Sequence, residues 1–151
     1  MTDIVDSKTR SRMMSAIRGK DTKPELAIRH GLHRMGFRYR LHYPGLPGKP
    51  DIIFPKYKAI LMVNGCFWHQ HDCHIFKWPK SREEFWRKKI LSNRSRDERN
   101  LFVYRQLEWK VLVIWECALK GKTRRPLDEV VHTAANWLQF DRQDADISGK
   151  A

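Results

Sequence analysis

The period of the apolar positions changes several times along the chain, and those changes divide it into elements. Met13, Met14 and Ile17 recur at helical spacing within a basic stretch, which predicts a first helix. Thr22-Lys23-Pro24-Glu25 has the form of a capping box with proline near the first turn, so a second helix is predicted from Thr22 to Gly36. Phe37 to His42 alternates roughly in polarity, and Asp51 to Phe54 and Ala59 to Val63 are short apolar runs, all read as neighbouring strands. The Pro/Gly-rich segment from Tyr43 to Pro50 is a loop between them. Gly65 to Pro79 has no period, and Ser81-Arg82-Glu83-Glu84 looks like a second capping box, opening a long polar helix to about Leu107. Lys110 to Trp115 reads as a buried strand, Thr123 to Phe140 contains an amphipathic helix, and Asp141 to Ala151 is a polar tail expected to be disordered. The sum is an α/β chain with a central mixed sheet flanked by helices.

Length and charge narrow the partner. A chain of 151 residues makes one domain, here a basic arm over residues 1–20, a body over 21–140 and the tail over 141–151. With 30 Lys+Arg against 17 Asp+Glu the net charge is +13, which concentrates polyanions and favours phosphate contacts. Lys8 to Arg38 alone holds nine Lys/Arg and two acids. Nucleic acid is therefore the leading partner. No apolar run is long enough to span a bilayer and no apolar signal region opens the chain, so a cytoplasmic protein with no membrane partner is expected. No sustained heptad demands an oligomer, and a monomer is expected.

Candidate chemistry gathers in the aperiodic segment. Cys66, His69, His71, Cys73 and His74 lie within nine residues, and Cys117 follows a predicted strand that can bring it alongside. Three cysteines beside histidines in a reducing compartment read as metal ligands, and zinc takes four such donors in a closed structural site. Cys66, His71, Cys73 and Cys117 are the chosen set, though His69 or His74 can replace His71 on spacing alone; buried free thiols beside surface histidines are the plainer alternative. Phe67 and Trp68 sit inside the same loop; a core role is the ordinary explanation of such a pair, but a metal-tied loop would hold the rings rigidly enough to stack on bases or wedge between them. Trp86, Lys89 and Asn93 share one helical face, combining a ring, a cation and an amide that can read base edges; an ordinary solvated face has the same spacing.

The acids are sparse. Pro50-Asp51 opens a short strand, where a carboxylate can hold Mg²⁺ against a phosphate or simply cap a turn. Half of the nuclease pattern PD-(D/E)xK is thus present, but Ile60-Leu61-Met62-Val63-Asn64 supplies neither its second acid nor its lysine. Another group must move the proton, and His69 is the candidate, because imidazole titrates near neutral pH. Asp97 can orient it from the long helix. Glu25 can complete a metal shell or serve only in its capping box.

Together these residues resemble the very short patch repair (Vsr) endonucleases, mismatch-nicking enzymes with a modified PD-(D/E)xK, restriction-endonuclease-like fold. The resemblance runs from Thr9-Arg10-Ser11-Arg12-Met13-Met14 through Leu46-Pro47-Gly48-Lys49-Pro50-Asp51 and Gly65-Cys66-Phe67-Trp68-His69 to Val113-Ile114-Trp115-Glu116-Cys117. It implies Mg²⁺-dependent hydrolysis 5′ to the thymine of a T:G mismatch, left by deamination of 5-methylcytosine, within nucleoid DNA and with downstream repair proteins as possible partners. It implies two Mg²⁺ ions, held at Asp51 and at the backbone carbonyl of Val63, with His69 activating water and Glu25 assisting. It also implies one structural Zn²⁺ on Cys66, His71, Cys73 and Cys117. Phe67, Trp68 and Trp86 would stack at the mismatch, Met14 would insert from the other groove, and Lys89 and Asn93 would make recognition contacts. Two positions depart from the family pattern. Val63 lacks a hydroxyl that some members carry, and Asn64 stands where others have a histidine or acid, so any second acid/base role at that catalytic position is lost or passed to water. A restriction-type nuclease acting on paired duplex, and a zinc-containing DNA-binding module with weakened chemistry, are the competing readings.

Overall fold

The computed structural model describes residues 23–150. The predicted first helix, with Met14, and the capping residue Thr22 lie outside those residues. The described chain runs α1 (Lys23–Arg34), β1 (Arg40–Leu41), β2 (Ile52–Phe54), a 3₁₀ turn (Pro55–Tyr57), β3 (Ala59–Asn64), α2 (Glu83–Gln106), β4 (Lys110–Trp115), α3 (Glu116–Leu119), α4 (Leu127–Phe140) and β5 (Ala145–Ile147). The strands form one mixed sheet in the order β1-β2-β3-β4-β5. β1, β2 and β3 pair antiparallel, whereas β4 lies parallel to β3 and β5 parallel to β4.

The strand alternation sorts the core onto two faces. Ile52, Phe54, Ala59, Leu61, Leu112 and Ile114 point to one face, where Ile28 and Leu32 of α1 and Val130, Ala134 and Leu138 of α4 cover them. Ile53, Ile60 and Val111 point to the other, against Leu46 and Tyr104 of α2. Because both faces are covered, the central strands read as continuous apolar runs. The second cluster is the smaller, which fits a 24-residue helix burying only Ile90, Asn93 and Tyr104.

Three expectations change. The tail is not disordered: Ala145–Ile147 pairs with β4, and Ile147 buries itself among the residues of the larger cluster. The parallel edge of β4 needs a partner for its backbone groups, and the Val111 amide also donates to Asp144 Oδ1 at 2.9 Å. Short alternating strands flanked by Gly and Asp carry almost no period, which hid this one. The box at Ser81 does not cap α2: its N-cap is Arg82, in the left-handed region at φ 53° with no side-chain cap. Glu83 and Glu84 instead complement the positive end of the helix from the first turn. Third, only Arg40–Leu41 of the predicted Phe37–His42 strand pairs.

The register places the site. β3 runs beside β4 so that Val63 faces Ile114 and Asn64 faces Trp115, and both strands end there. The segment 65–82 leaves from the end of β3, and α3 with Cys117 begins at the end of β4. Asp51, one residue before β2, sits at the same end of the sheet because β2 is antiparallel to β3. That position is held from α2 as well: Tyr104 donates its hydroxyl to the Pro47 carbonyl. Gly48 turns there at φ 77°, where a Cβ would come within 2.5 Å of Asn100 Nδ2.

Candidate metal knot and active site

The loop that leaves β3 folds back on itself. His69 N donates to Gly65 O at 3.3 Å and His71 N to Cys66 O at 2.9 Å, winding Gly65–His71 into tight turns. Glu116, at the start of α3, accepts from the Cys66 amide through Oε1 at 3.1 Å, so the two strand ends are joined before any metal is considered. The side chains of Cys66, His71, Cys73 and Cys117 then converge, their donor atoms all within 4.8 Å of one another. Cys117 Sγ and His71 Nδ1 stand 3.6 Å apart. An S···N edge of a tetrahedral zinc site with ordinary bond lengths is about 3.6 Å, so the cluster fits such an ion. Cys66 and Cys117 are buried, Cys73 less so.

This geometry decides among the histidines. His71 enters the cluster, and its ring stacks on Trp115 at 4.1 Å with 14° between planes. Burial lowers its pKa against the opposing pull of Asp146 and Asp72, which keeps the imidazole neutral and able to ligate. Burial also pushes the Cys66 thiol well up, so a metal entering here must displace its proton. His69, two residues earlier, points elsewhere: its Nδ1 lies 2.5 Å from Asp97 Oδ2.

Helix α2 is the wall on which the loop rests. Residues 86, 93 and 97 fall on nearly one line of a helix, because seven and eleven residues are close to two and three turns. Trp86 meets Phe67 and Trp68 at ring centroid distances of 5.5 and 5.8 Å. Asn93 Nδ2 donates to the Trp68 carbonyl at 3.2 Å, and Asp97 takes His69. The sequence pattern identified this face, but its nearest partner is the loop. The Asn93 amide is occupied at both ends, since its Oδ1 accepts from Arg96 at 2.8 Å. A base edge must therefore replace one of these bonds. Lys89 is half-buried beside this line.

Phe67 and Trp68 pack edge to face at 5.2 Å and belong to a larger patch. Phe76 lies 5.9 Å from Phe67, Trp78 lies 5.0 Å from Phe76, and Phe85 lies 5.2 Å from Trp86. Arg87 covers Trp78 and Arg82 covers Phe85. Sequence reasoning gave no role to Phe76 and Trp78, because an aperiodic loop gives no face on which to group them, nor to Phe85, which lies one residue off the Trp86 line of α2. Such a half-buried row of rings edged by guanidinium groups can stack on bases while binding phosphate.

The acids divide between wall and opening. Asp51 keeps a side chain 40% exposed, with His42 Nδ1 3.8 Å away, and stands at the sheet end where Val63 and Asn64 finish β3. An accessible carboxylate near strand-end carbonyl oxygens suits Mg²⁺, which takes few protein ligands and keeps its waters. Glu25 is buried on α1 and paired with Arg29 at 2.9 Å. No helix among the described residues is long and apolar enough to cross a membrane.

Comparison with known proteins gives the family. The family model for "DNA mismatch endonuclease Vsr" matches residues 2–75. "DNA mismatch endonuclease Vsr" of Escherichia coli strain K12 is 37% identical over 147 residues, 97% of this chain and 94% of its own length. "Type II nicking enzyme V.XorIIP" of Xanthomonas oryzae pv. oryzae is 44% identical over 134 residues, covering 85% and 98% of the two chains. "Type II nicking enzyme V.NmeAIP" of Neisseria meningitidis is 44% identical over 122 residues, covering 81% and 87%. The chain belongs to the Vsr family and is, with it, a DNA endonuclease.

Proposed function

We propose that this endonuclease nicks duplex DNA 5′ to the thymine of a T:G mismatch, in the Mg²⁺-dependent first step of very short patch repair. The observation that carries the reading is a single loop in which His69, backed by Asp97, directly follows the Phe67-Trp68 ring pair. Rings that engage a weakly stacked mismatch would thereby set the scissile phosphate beside the base. The likeness to the Escherichia coli enzyme, named for mismatch cleavage, supports the substrate.

In the mechanism, Asp97 accepts from Nδ1–H and so leaves the Nε2 lone pair of His69 for the attacking water. As the water loses its proton, the carboxylate stabilises the imidazolium that forms. Asp51 and the Val63 carbonyl would hold Mg²⁺, with Glu25 assisting from α1; bound there, the ion supplies charge neutralisation at the phosphate and lowers the pKa of its water. Asn64 has no titratable proton, so in this reading the base role falls to His69. Cys66, His71, Cys73 and Cys117 would hold one structural Zn²⁺, a closed set with no open position for substrate. Phe67, Trp68 and Trp86 engage the mismatch, Lys89 and Asn93 make recognition contacts on its bases, and Met14 enters from the opposite groove on a basic arm over residues 1–20. The restriction-endonuclease-like architecture, action as a monomer on nucleoid DNA in the cytoplasm, and handover to downstream repair proteins complete the reading.

A second reading follows from relatives named type II nicking enzymes: sequence-specific nicking of fully paired duplex. End-labelled duplexes with T:G or T:A at one position, incubated with Mg²⁺, separate the two. The proposal expects one nick, mapped 5′ to the mismatched thymine, and little cutting of T:A. Equal rates on both duplexes would favour the second reading and sink the first.

A further inference from the structure

The last described residues have no part in the mechanism above, yet they end on the metal knot. After β5 the chain turns back over α3, and the Gly149 amide donates to Cys117 Sγ at 3.2 Å. Two bonds hold it to its neighbours and a third ties one of those neighbours, Thr123, to Cys117. Arg125 Nε donates to Ser148 O at 2.7 Å, the Lys150 amide to Thr123 O at 2.8 Å, and Thr123 Oγ1 to Cys117 O at 3.0 Å. The same sulfur cluster receives a second backbone donor, since the Cys117 amide points at Cys66 Sγ at 3.3 Å. Gly149 is there for close approach: a Cβ on it would stand 2.6 Å from the Cys117 carbonyl oxygen and 2.8 Å from Thr123 Cβ.

We propose that residues 145–150 are the outer shell of the zinc site, with the Gly149 N–H donating to the Cys117 thiolate and thereby controlling how firmly the metal is held. The inference rests on the zinc reading of the previous subsection. Its physics is that of hydrogen bonds to metal ligands in general. A donor to a thiolate stabilises the negative sulfur, fixes its direction and slows its protonation, which is the step that opens a metal–sulfur bond. Loss of such an outer-shell partner typically weakens metal binding about 10- to 100-fold. β5 supplies the leverage: Ile147 is anchored in the core opposite Ile114, so the residues two further on reach Cys117 in a fixed place. The strand that completes the sheet edge is thus also a strap across the knot that carries the Phe67-Trp68-His69 loop.

The test uses the full chain. Zinc transfer to a chromophoric chelator is timed for the parent, Gly149→Ala and Lys150→Ala, with circular dichroism on each. Gly149→Ala should release zinc at least about 10-fold faster at unchanged secondary structure, and Lys150→Ala, which keeps its backbone donor, at the parental rate. A parent that holds one zinc and a Gly149→Ala that releases it no faster would overturn the strap while leaving the zinc reading intact. A folded parent containing no zinc would remove both. If Gly149→Ala does not fold, the parent answers alone after exchange into ¹¹³Cd: scalar coupling from the metal to the Gly149 amide proton is expected through the N–H···S bond. Its absence, with coupling seen at the Cys117 amide, overturns the inference.

Discussion

His69 Nδ1 and Asp97 Oδ2 lie 2.5 Å apart, joining the loop after β3 to the middle of α2. Both side chains are partly exposed, at 25% and 33%, so the pair is open to a substrate. A carboxylate in that place only accepts and so holds Nδ1 protonated, whereas an amide, which can also donate, admits the tautomer protonated at Nε2 as well. Asp97→Asn should therefore cut single-turnover nicking by roughly 10²- to 10⁴-fold while leaving DNA affinity within a few-fold of the parent. Equal nicking by Asp97→Asn and parent would show that the pair is only structural.

Asn93 links the same helix to the aromatic pair through the Trp68 carbonyl. Asn93→Leu keeps the volume and removes that bond, leaving a partly buried carbonyl without its donor. We expect a loss of about 1–3 kcal/mol in urea unfolding and weaker mismatch binding. If stability is unchanged and only mismatch discrimination falls, the amide acts on bases and its bond to Trp68 is incidental.

The reach of sequence reasoning had a physical limit. The central strands were legible because burial on both faces makes them unbroken apolar runs, as in Ile60 to Val63 and Val111 to Ile114. The three cysteines of the candidate metal cluster were legible from ligand chemistry, whereas spacing left the histidine open and the direction of each ring separates His71 from His69. β5 was not legible, since three residues with one buried side chain carry no period. Nor was the N-terminus of α2, where a sequence fit for a capping box is overridden by a loop that must arrive through Arg82 at positive φ.

The tail carries stability as well as position. Ile147 adds to the larger core cluster from the sheet edge. Ile147→Ala should cost about 2 kcal/mol or more in chemical unfolding, near the low end for buried large-to-small changes because the site borders solvent. A change below a few tenths would mean that β5 is not docked in solution.

The +13 charge makes binding salt-dependent. If the basic arm and α2 neutralise several phosphates, log of the association constant for duplex should fall linearly with log salt, with a slope of about −0.9 per phosphate contacted. A slope near zero in filter binding or anisotropy titrations would contradict a phosphate-led interface.

In the proposed mechanism zinc would shape the site, and hydrolysis would depend on Asp51 with magnesium. Asp51→Ala measures this most directly, assayed for zinc content, T:G duplex binding and single-turnover nicking with and without added Mg²⁺. The expected result is one zinc per chain, binding within a few-fold of the parent, and nicking reduced by at least about 10³-fold at every Mg²⁺ concentration. Parental nicking by Asp51→Ala, or full activity of the parent with zinc bound and Mg²⁺ absent, would contradict it.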